Sequence, residues 1–95
     1  MAAYVILQET IHDPDTFGIY AGQAPETFEP YGGKLVVRRG NPEWLEGEWR
    51  HAIVVVIEFP DRAAAKAWYD SDAYSAIRPL RQESATSNIA IVDGV

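Results

Sequence analysis

The feature that most limits how this chain can fold is an apolar run over residues 50–59 that leads directly into a helix start. Side chains alternate between two faces along a β-strand, so the run divides into a nearly all-apolar face and a face that is apolar in the middle with an ion at each end. The first face holds His51, Ile53, Val55, Ile57 and Phe59, and the second holds Arg50, Ala52, Val54, Val56 and Glu58. Pro60 ends the strand, and Asp61 is a good N-cap for the alanine-rich helix that follows. The run therefore predicts a strand that packs on helices with one face and meets a second sheet or a cavity with the other.

The two halves of the chain repeat the same plan when they are shifted by 48 positions. Each half reads as a strand, an acidic cap, a helix with a large inward aromatic residue, and a return strand. The matched pairs are Val5 with Ile53, Leu7 with Val55, Asp13 with Asp61, and Tyr20 with Trp68. Besides the central strand, we predict strands over 3–9, 34–39 and 88–92. This order predicts an α+β fold, ferredoxin-like βαββαβ, with one four-stranded antiparallel sheet and both main helices on one face.

Helices on one face leave the other face of such a sheet bare. Here that face would carry Ile6, Val36, Val54, Val56 and Val92, which together are too apolar to remain in water. A second copy of the chain is the simplest cover. We therefore expect a homodimer that joins sheet to sheet and encloses an interior.

Composition excludes several classes of function. With 8 basic and 14 acidic residues among 95, the chain has a net charge of −6, which argues against nucleic acid and anionic membranes as partners. The absence of cysteine excludes disulfides, thiolate metal sites and cysteine nucleophiles. No apolar run approaches the ~20 residues that a membrane helix requires, and the N-terminus lacks the basic region of a secretory signal. We expect a single domain over 1–95 in the cytoplasm.

The most specific block of the sequence is Glu58-Phe59-Pro60, Ala67-Trp68-Tyr69, Ser71 and Tyr74. It is accompanied by Tyr4, Tyr20, Tyr31-Gly32-Gly33, Val37-Arg38, Leu45-Glu46-Gly47, Arg50, Val56-Ile57 and 78–81. With these elements, over nearly all of residues 3–93, the chain resembles the domain-of-unknown-function family 1330 (DUF1330), a branch of the dimeric α+β barrel proteins. The resemblance implies a ferredoxin-like subunit that dimerises through its sheet, and it implies no established reaction. Related barrel families include cofactor-independent oxygenases, isomerases and haem enzymes. The chain departs from the family pattern at Arg39, where glycine is usual, and at Pro79, where a helix former is usual.

Charged residues at the strand ends are the first candidates for a ligand site. Alternation places Arg38, Arg50 and Glu58 on the faces assigned to the barrel interior. An arginine held by a glutamate can bind a ligand carboxylate bidentately, so Arg38 and Arg50 are candidate ligand-binding residues. Glu58 is a candidate general base if it lies desolvated without a partner. We expect it instead to pair with an arginine, first Arg38 and second Arg81, and a structural ion pair remains the open alternative.

Aromatic residues are the second group of candidates. Tyr20 is a candidate catalytic residue, and Tyr74 and Arg81 are candidate ligand-binding residues, whereas Trp68 is expected to be core. His12 and His51 have no companion at the spacing of a metal site, so we predict neither a metal nor a bound cofactor.

Two functions fit this pattern. The first is a cofactor-independent enzyme that acts on an acidic or aromatic metabolite in the barrel interior, and the second is a non-catalytic ligand-binding or assembly module whose inward ions only fix the dimer. The sequence does not decide whether the chain is an enzyme. An interior cavity of ~300 Å³ or more that contains Arg38 and Glu58 would favour the enzyme, and a filled interior would favour the module.

Overall fold

A computed structural model describes residues 1–95 and shows the predicted α+β architecture. The sheet order is β2-β3-β1-β4, and every neighbouring pair is antiparallel. The strands are β1 (Ala3–Ile11), β2 (Lys34–Val37), β3 (Ile53–Phe59) and β4 (Ala85–Asp93). The helices are α1 (Pro14–Phe28), α2 (Arg62–Asp70) and α3 (Asp72–Ser84), with a short 3₁₀ turn at Glu29–Tyr31. The expectation of a ferredoxin-like βαββαβ chain is confirmed, and its second helical segment is divided into two helices.

The helices begin where short polar side chains can cap them. Asp13 accepts a hydrogen bond from the backbone N–H of Thr16, and Asp61 accepts one from Ala64, so both acids cap their helices as the repeat predicts. Ser71 ends α2 and caps α3 by accepting from the N–H of Tyr74. None of these helices has the length and apolar character needed to span a membrane.

The core lies between the helices and one face of the sheet. Along β1, the alternate residues Ala3, Val5, Leu7 and Glu9 are buried, and the residues between them are half-buried on the open face. Trp68 is 1% exposed, and its ring lies tilted against that of Tyr74 with the two centroids 4.2 Å apart, as expected for a core residue. Its indole N–H donates to the Thr27 hydroxyl at 2.9 Å, so its one polar atom is satisfied.

The boundaries of several elements differ from the sequence prediction. The strands β1 and β4 are longer than expected, and β3 begins at Ile53 instead of at residue 50. The strand β2 ends at Val37, and its register shifts between Leu35 and Val37, which places Val37 opposite Val56. Such a bulge adds one residue and turns the following side chains to the other face. The predicted face of Arg38 was therefore wrong.

Both internal prolines lie within continuous helices. The helix α1 continues through Pro25 to Phe28, and α3 continues through Pro79 to Ser84. The chain leaves the 3₁₀ turn at Gly32, whose φ of 77° is in the left-handed region that glycine adopts without strain.

Candidate functional site

A cavity of about 130 Å³ lies between α1 and the helix-facing side of the sheet. Most of its wall is apolar. Its polar contributors are Glu9, Tyr20, Arg38 and Arg39, and its apolar lining includes Leu7, Phe17, Phe28, Leu35, Val55 and Ile57. A wider groove of about 350 Å³ adjoins it and shares Glu9 and Arg39. The cavity is thus inside the subunit, on the side opposite the open face where the sequence predicted it.

Glu9 is a buried carboxylate on the wall of this cavity. It is 1% exposed, and its Oε1 accepts a hydrogen bond from the Ser87 hydroxyl at 3.2 Å. Its Oε2 has no hydrogen bond within the chain, and no fully enclosed polar side-chain atom lacks a partner, so Oε2 keeps some exposure; Glu9 lines both the cavity and the adjoining groove. Burial raises the pKa of Glu9, although Ser87, Arg81 and Arg39 oppose the shift. A carboxylate of this kind holds or takes a proton more readily than one in water.

Two tyrosines and an arginine form a buried chain of hydrogen bonds next to Glu9. The hydroxyl oxygens of Tyr20 and Tyr74 are 2.9 Å apart, and Arg81 Nε donates to the Tyr74 hydroxyl at 3.2 Å. Burial raises the pKa of Tyr20, and the neighbouring Tyr74 raises it further. Burial disfavours the charge on Arg81, but its contacts with Tyr74, Tyr20 and Glu9 outweigh that effect and raise its pKa. Tyr20 therefore stays a neutral hydrogen-bond donor, and Arg81 stays charged.

Three of the predicted site residues are thus brought together, in different roles from those expected. Tyr20 lines the cavity, whereas Tyr74 and Arg81 lie behind it in the core and line no part of it. Tyr20 is the member of this chain of hydrogen bonds that lines the cavity, and Arg81 is linked to it by hydrogen bonds through Tyr74. The structure therefore gives Tyr74 and Arg81 the geometry of positioning residues.

Two guanidinium groups line the cavity where β2 ends. Arg38 and Arg39 are exposed, and neither forms a salt bridge or a side-chain hydrogen bond within the chain. The bulge in β2 explains how Arg38 comes to line a cavity on the helix-facing side. Arg38 remains a candidate ligand-binding residue, and Arg39 joins it.

The other two predicted residues lie away from this cavity. Glu58 is half-buried on the open face of the sheet, opposite Tyr4, and accepts a hydrogen bond from the Tyr4 hydroxyl at 3.1 Å. This hydrogen bond raises the pKa of Tyr4. Glu58 forms no salt bridge, so the expected pairing with Arg38 or Arg81 was wrong. Arg50 is exposed in the loop before β3 and contacts only Glu48, at 3.5 Å.

The expected cavity was one of ~300 Å³ or more that contains both Arg38 and Glu58. The observed cavity of about 130 Å³ contains Arg38 without Glu58, so that criterion is not met. The wider groove exceeds this volume but has Arg39 at its wall. No group of three or more His, Asp or Glu side chains is placed to hold a metal ion.

Glu9 is the site residue that the sequence prediction missed. It lies two residues beyond Leu7 and four beyond Val5, so strand alternation places it on the helix-facing side with them. A carboxylate at an apolar position of a strand is the signal that could have found it. Ser87 has the equivalent signal, because it pairs with Glu9 across β1 and β4.

The fold and the cavity together describe a small ferredoxin-like α+β domain with a site between its first helix and its sheet. The sequence matches the family described as Domain of unknown function (DUF1330) over residues 2–95. The chain therefore belongs to this family, as the resemblance indicated. A search of curated proteins finds no significant match.

Solved structures with the same fold include proteins of known and unknown function. A protein of unknown function from Rhodopseudomonas palustris superposes with a TM-score of 0.80 at 18% identity, covering 99% of this chain and 82% of that one. SnoaB, a cofactor-independent oxygenase from Streptomyces nogalater, superposes with a TM-score of 0.71 at 14% identity, covering 99% and 93%. An antibiotic biosynthesis monooxygenase gives a TM-score of 0.56 at 16% identity, covering 100% and 99%. At these identities the likeness establishes the fold.

Proposed function

We propose that this protein is a small-molecule enzyme that works without a bound cofactor and removes a proton from an acidic aromatic metabolite. The observation that carries the proposal is Glu9, a buried carboxylate that lines a mainly apolar cavity and has one oxygen without a hydrogen bond in the chain. In the proposed step, a substrate C–H bond next to a carbonyl breaks, its proton passes to Glu9 Oε2, and the electron pair remains on the substrate as an enolate. The low polarity of the wall favours this transfer, because it makes the carboxylate a stronger base than it would be in water.

Tyr20 supplies the second requirement of the step, a donor for the oxygen on which negative charge develops. Arg81 occupies one lone pair of the Tyr74 hydroxyl. When Tyr74 donates its own proton to Tyr20, the Tyr20 proton is free for a ligand in the cavity. A neutral phenol fixed in this way stabilises an enolate without having to reorganise.

The solved neighbours are compatible with this class of reaction. SnoaB is a cofactor-independent oxygenase on the same fold, and one fold can carry many chemistries. The residues of this chain, rather than the neighbour, support the assignment of proton removal to Glu9.

The test uses phenylpyruvate, an aromatic keto acid with exchangeable hydrogens next to its carbonyl. Wild-type protein in D₂O should speed the replacement of these hydrogens by deuterium, followed by proton NMR. Glu9→Gln keeps the shape of the side chain but removes the base, and we expect the enzymatic rate to fall by about 10²–10⁴-fold. Tyr20→Phe should also slow the exchange. A Glu9→Gln protein that exchanges phenylpyruvate as fast as the wild type would contradict the proposal.

The alternative is a non-catalytic ligand-binding or assembly module. The cavity of about 130 Å³ is smaller than the ~300 Å³ expected for the enzyme and lacks Glu58, and this favours the module. Mass spectrometry of small molecules that remain bound during native purification separates the two. A retained molecule that the protein never alters, together with no phenylpyruvate exchange, would favour the module.

We also propose a homodimer through the open face of the sheet. Val36 is 44% and Val92 is 38% exposed there, and Ile6, Val54 and Val56 are half-buried on the same face. Apolar surface contributes about 25 cal/mol per Å² when it is covered, so a second sheet against this face would stabilise both copies. In such a dimer the cavities lie in the separate subunits, on the far side of each sheet.

A further inference from the structure

Arg39 adopts a backbone conformation that favours glycine. Its φ is 62°, and it is followed by Gly40 at 50° and Asn41 at 45°, so three consecutive residues have positive φ. Glycine and asparagine tolerate this region, whereas an arginine there has a steric conflict at its Cβ. A strained residue on the wall of a cavity is a reason to look for a function of its side chain.

The charge around Arg39 indicates what that function is. The protein has a net charge of −6, yet the consecutive residues Arg38 and Arg39 form no salt bridge. Arg50, Arg62 and Lys66, in contrast, each form a salt bridge. Two arginines that line one cavity and form no salt bridge make a site that attracts an anion.

Arg39 also lies where a ligand of the cavity would end. It lines both the cavity of about 130 Å³ and the adjoining groove, and it is close enough to Glu9 to lower the pKa of that carboxyl. A cavity of about 150 Å³ lined by apolar side chains holds one benzene ring, so the observed volume suits a single ring. A substituent on this ring then extends toward the groove.

We infer that Arg39 is the anion-binding residue of this site and restricts its ligands to compounds with one aromatic ring and a carboxylate. This inference rests on the proposed function for the location of the ligand, but it requires no catalysis. The planar fork of a guanidinium matches a carboxylate through two parallel hydrogen bonds, and Lys at the same position offers only a point charge. Arg38 provides additional positive potential beside it.

The experiment compares phenylacetate with phenylacetamide, which have nearly the same shape but differ in charge. Each is titrated into ¹³C-methyl-labelled protein, and binding is followed by NMR at Leu7, Val55 and Ile57, which line the cavity. Because a hydrogen bond to a charged group contributes about 1.5–3 kcal/mol, the wild type should bind phenylacetate at least about tenfold more tightly. In Arg39→Gly the preference should fall to within about threefold, and in Arg39→Lys it should be intermediate.

Two controls show whether the lost preference for phenylacetate results from misfolding or from the change in the net charge of the protein. Glycine adopts the observed φ without strain, so Arg39→Gly should unfold at the same temperature as the wild type or above it. Arg62→Gln removes a positive charge that pairs with Asp93 on the surface, and it should keep the wild-type preference.

The outcomes distinguish the two proposals. Equal binding of both probes by the wild type, or a preference that survives Arg39→Gly, overturns the role of Arg39 but leaves the cavity as the ligand site. If neither probe moves the cavity methyl groups, the location of the ligand is wrong and both proposals fail. A folded Arg39→Gly protein that still binds phenylacetamide but has lost the preference for phenylacetate supports the inference.

Discussion

Replacing Glu9 by glutamine should make the protein more stable at neutral pH while it removes the proposed activity. Burial raises the pKa of Glu9 above the ordinary value of 4.5, so the folded protein holds this proton more tightly than the unfolded chain does. Between 4.5 and the folded pKa, the folded state binds more protons, and its stability therefore falls as pH rises. Above the pKa that Glu9 has in the folded protein, its carboxylate is ionised and its burial lowers the stability by the full amount. Glutamine is neutral at every pH and avoids this cost.

The change in stability depends on how much more tightly Glu9 holds its proton in the folded protein than in the unfolded chain. Every tenfold tightening of proton binding by Glu9 on folding corresponds to about 1.4 kcal/mol of lost stability at neutral pH. For a chain of this length, about 1 kcal/mol changes the melting temperature by about 4–8 °C. Thermal unfolding of wild type and Glu9→Gln, followed by circular dichroism from pH 4 to pH 8, resolves such a difference. The two curves should converge at the acid end, where Glu9 is protonated, and separate as pH rises.

The matched control is Glu58→Gln, which removes a carboxylate from the opposite face of the same sheet. Because Glu9 is unchanged in this variant, it should keep the wild-type loss of stability with rising pH. A Glu9→Gln protein that is less stable than the wild type at pH 7 would refute the reasoning. That result would mean that Arg81 and Arg39 stabilise the ionised carboxylate by more than its burial costs.

Three further predictions concern the open face, the buried tyrosines and the strained loop. Val54→Lys should convert the proposed dimer into a monomer at micromolar concentration in sedimentation velocity. Ile19→Lys, on the outer side of α1 where Ile19 is 55% exposed, should leave the dimer intact. A monomeric wild type would contradict the proposed dimer. Tyr74→Phe leaves two buried hydrogen-bonding partners unmatched and should lower the free energy of unfolding by about 1–3 kcal/mol. The control is Tyr69→Phe, which should change this free energy little because the Tyr69 hydroxyl makes no hydrogen bond. Equal urea midpoints for the two variants would contradict the role of Tyr74. Arg39→Gly relieves a left-handed conformation that costs an ordinary residue about 1–2 kcal/mol, so a clear loss of stability on urea unfolding would show that its side chain supports the fold.

Much of the fold could be predicted because local signals agree with the global pattern. Asp13 and Asp61 mark two helix starts by the same capping chemistry, and the alternation of Val5 and Leu7 identifies the buried face of β1. The position of the site could not be predicted in the same way. A single extra residue in β2 reverses the face on which Arg38 lies, and alternation contains no information about where a bulge occurs.

The pairing of side chains from distant parts of the chain could not be predicted from the sequence either. Glu58 was expected to need an arginine, but Tyr4 lies directly opposite on the neighbouring strand and supplies a hydroxyl instead. Tyr20 and Tyr74 come from different helices, and only the packing of α1 on α3 brings their hydroxyl groups within 2.9 Å. Contacts between residues so far apart in the sequence depend on how the helices and strands pack, which local propensity does not determine.

The two carboxylates Glu9 and Glu58 show how the sheet can separate two functions. Each comes from one of the two central strands, but their side chains lie on opposite faces, so one meets the cavity and the other meets the proposed second copy. Because an assembly contact and a ligand site then share only the backbone between them, substitutions on one face should leave the other intact. Val54→Lys should therefore abolish the dimer but retain phenylacetate binding in the cavity, and Glu9→Gln should retain the dimer. Loss of ligand binding together with the dimer in a folded Val54→Lys protein would show instead that the cavity requires the second copy.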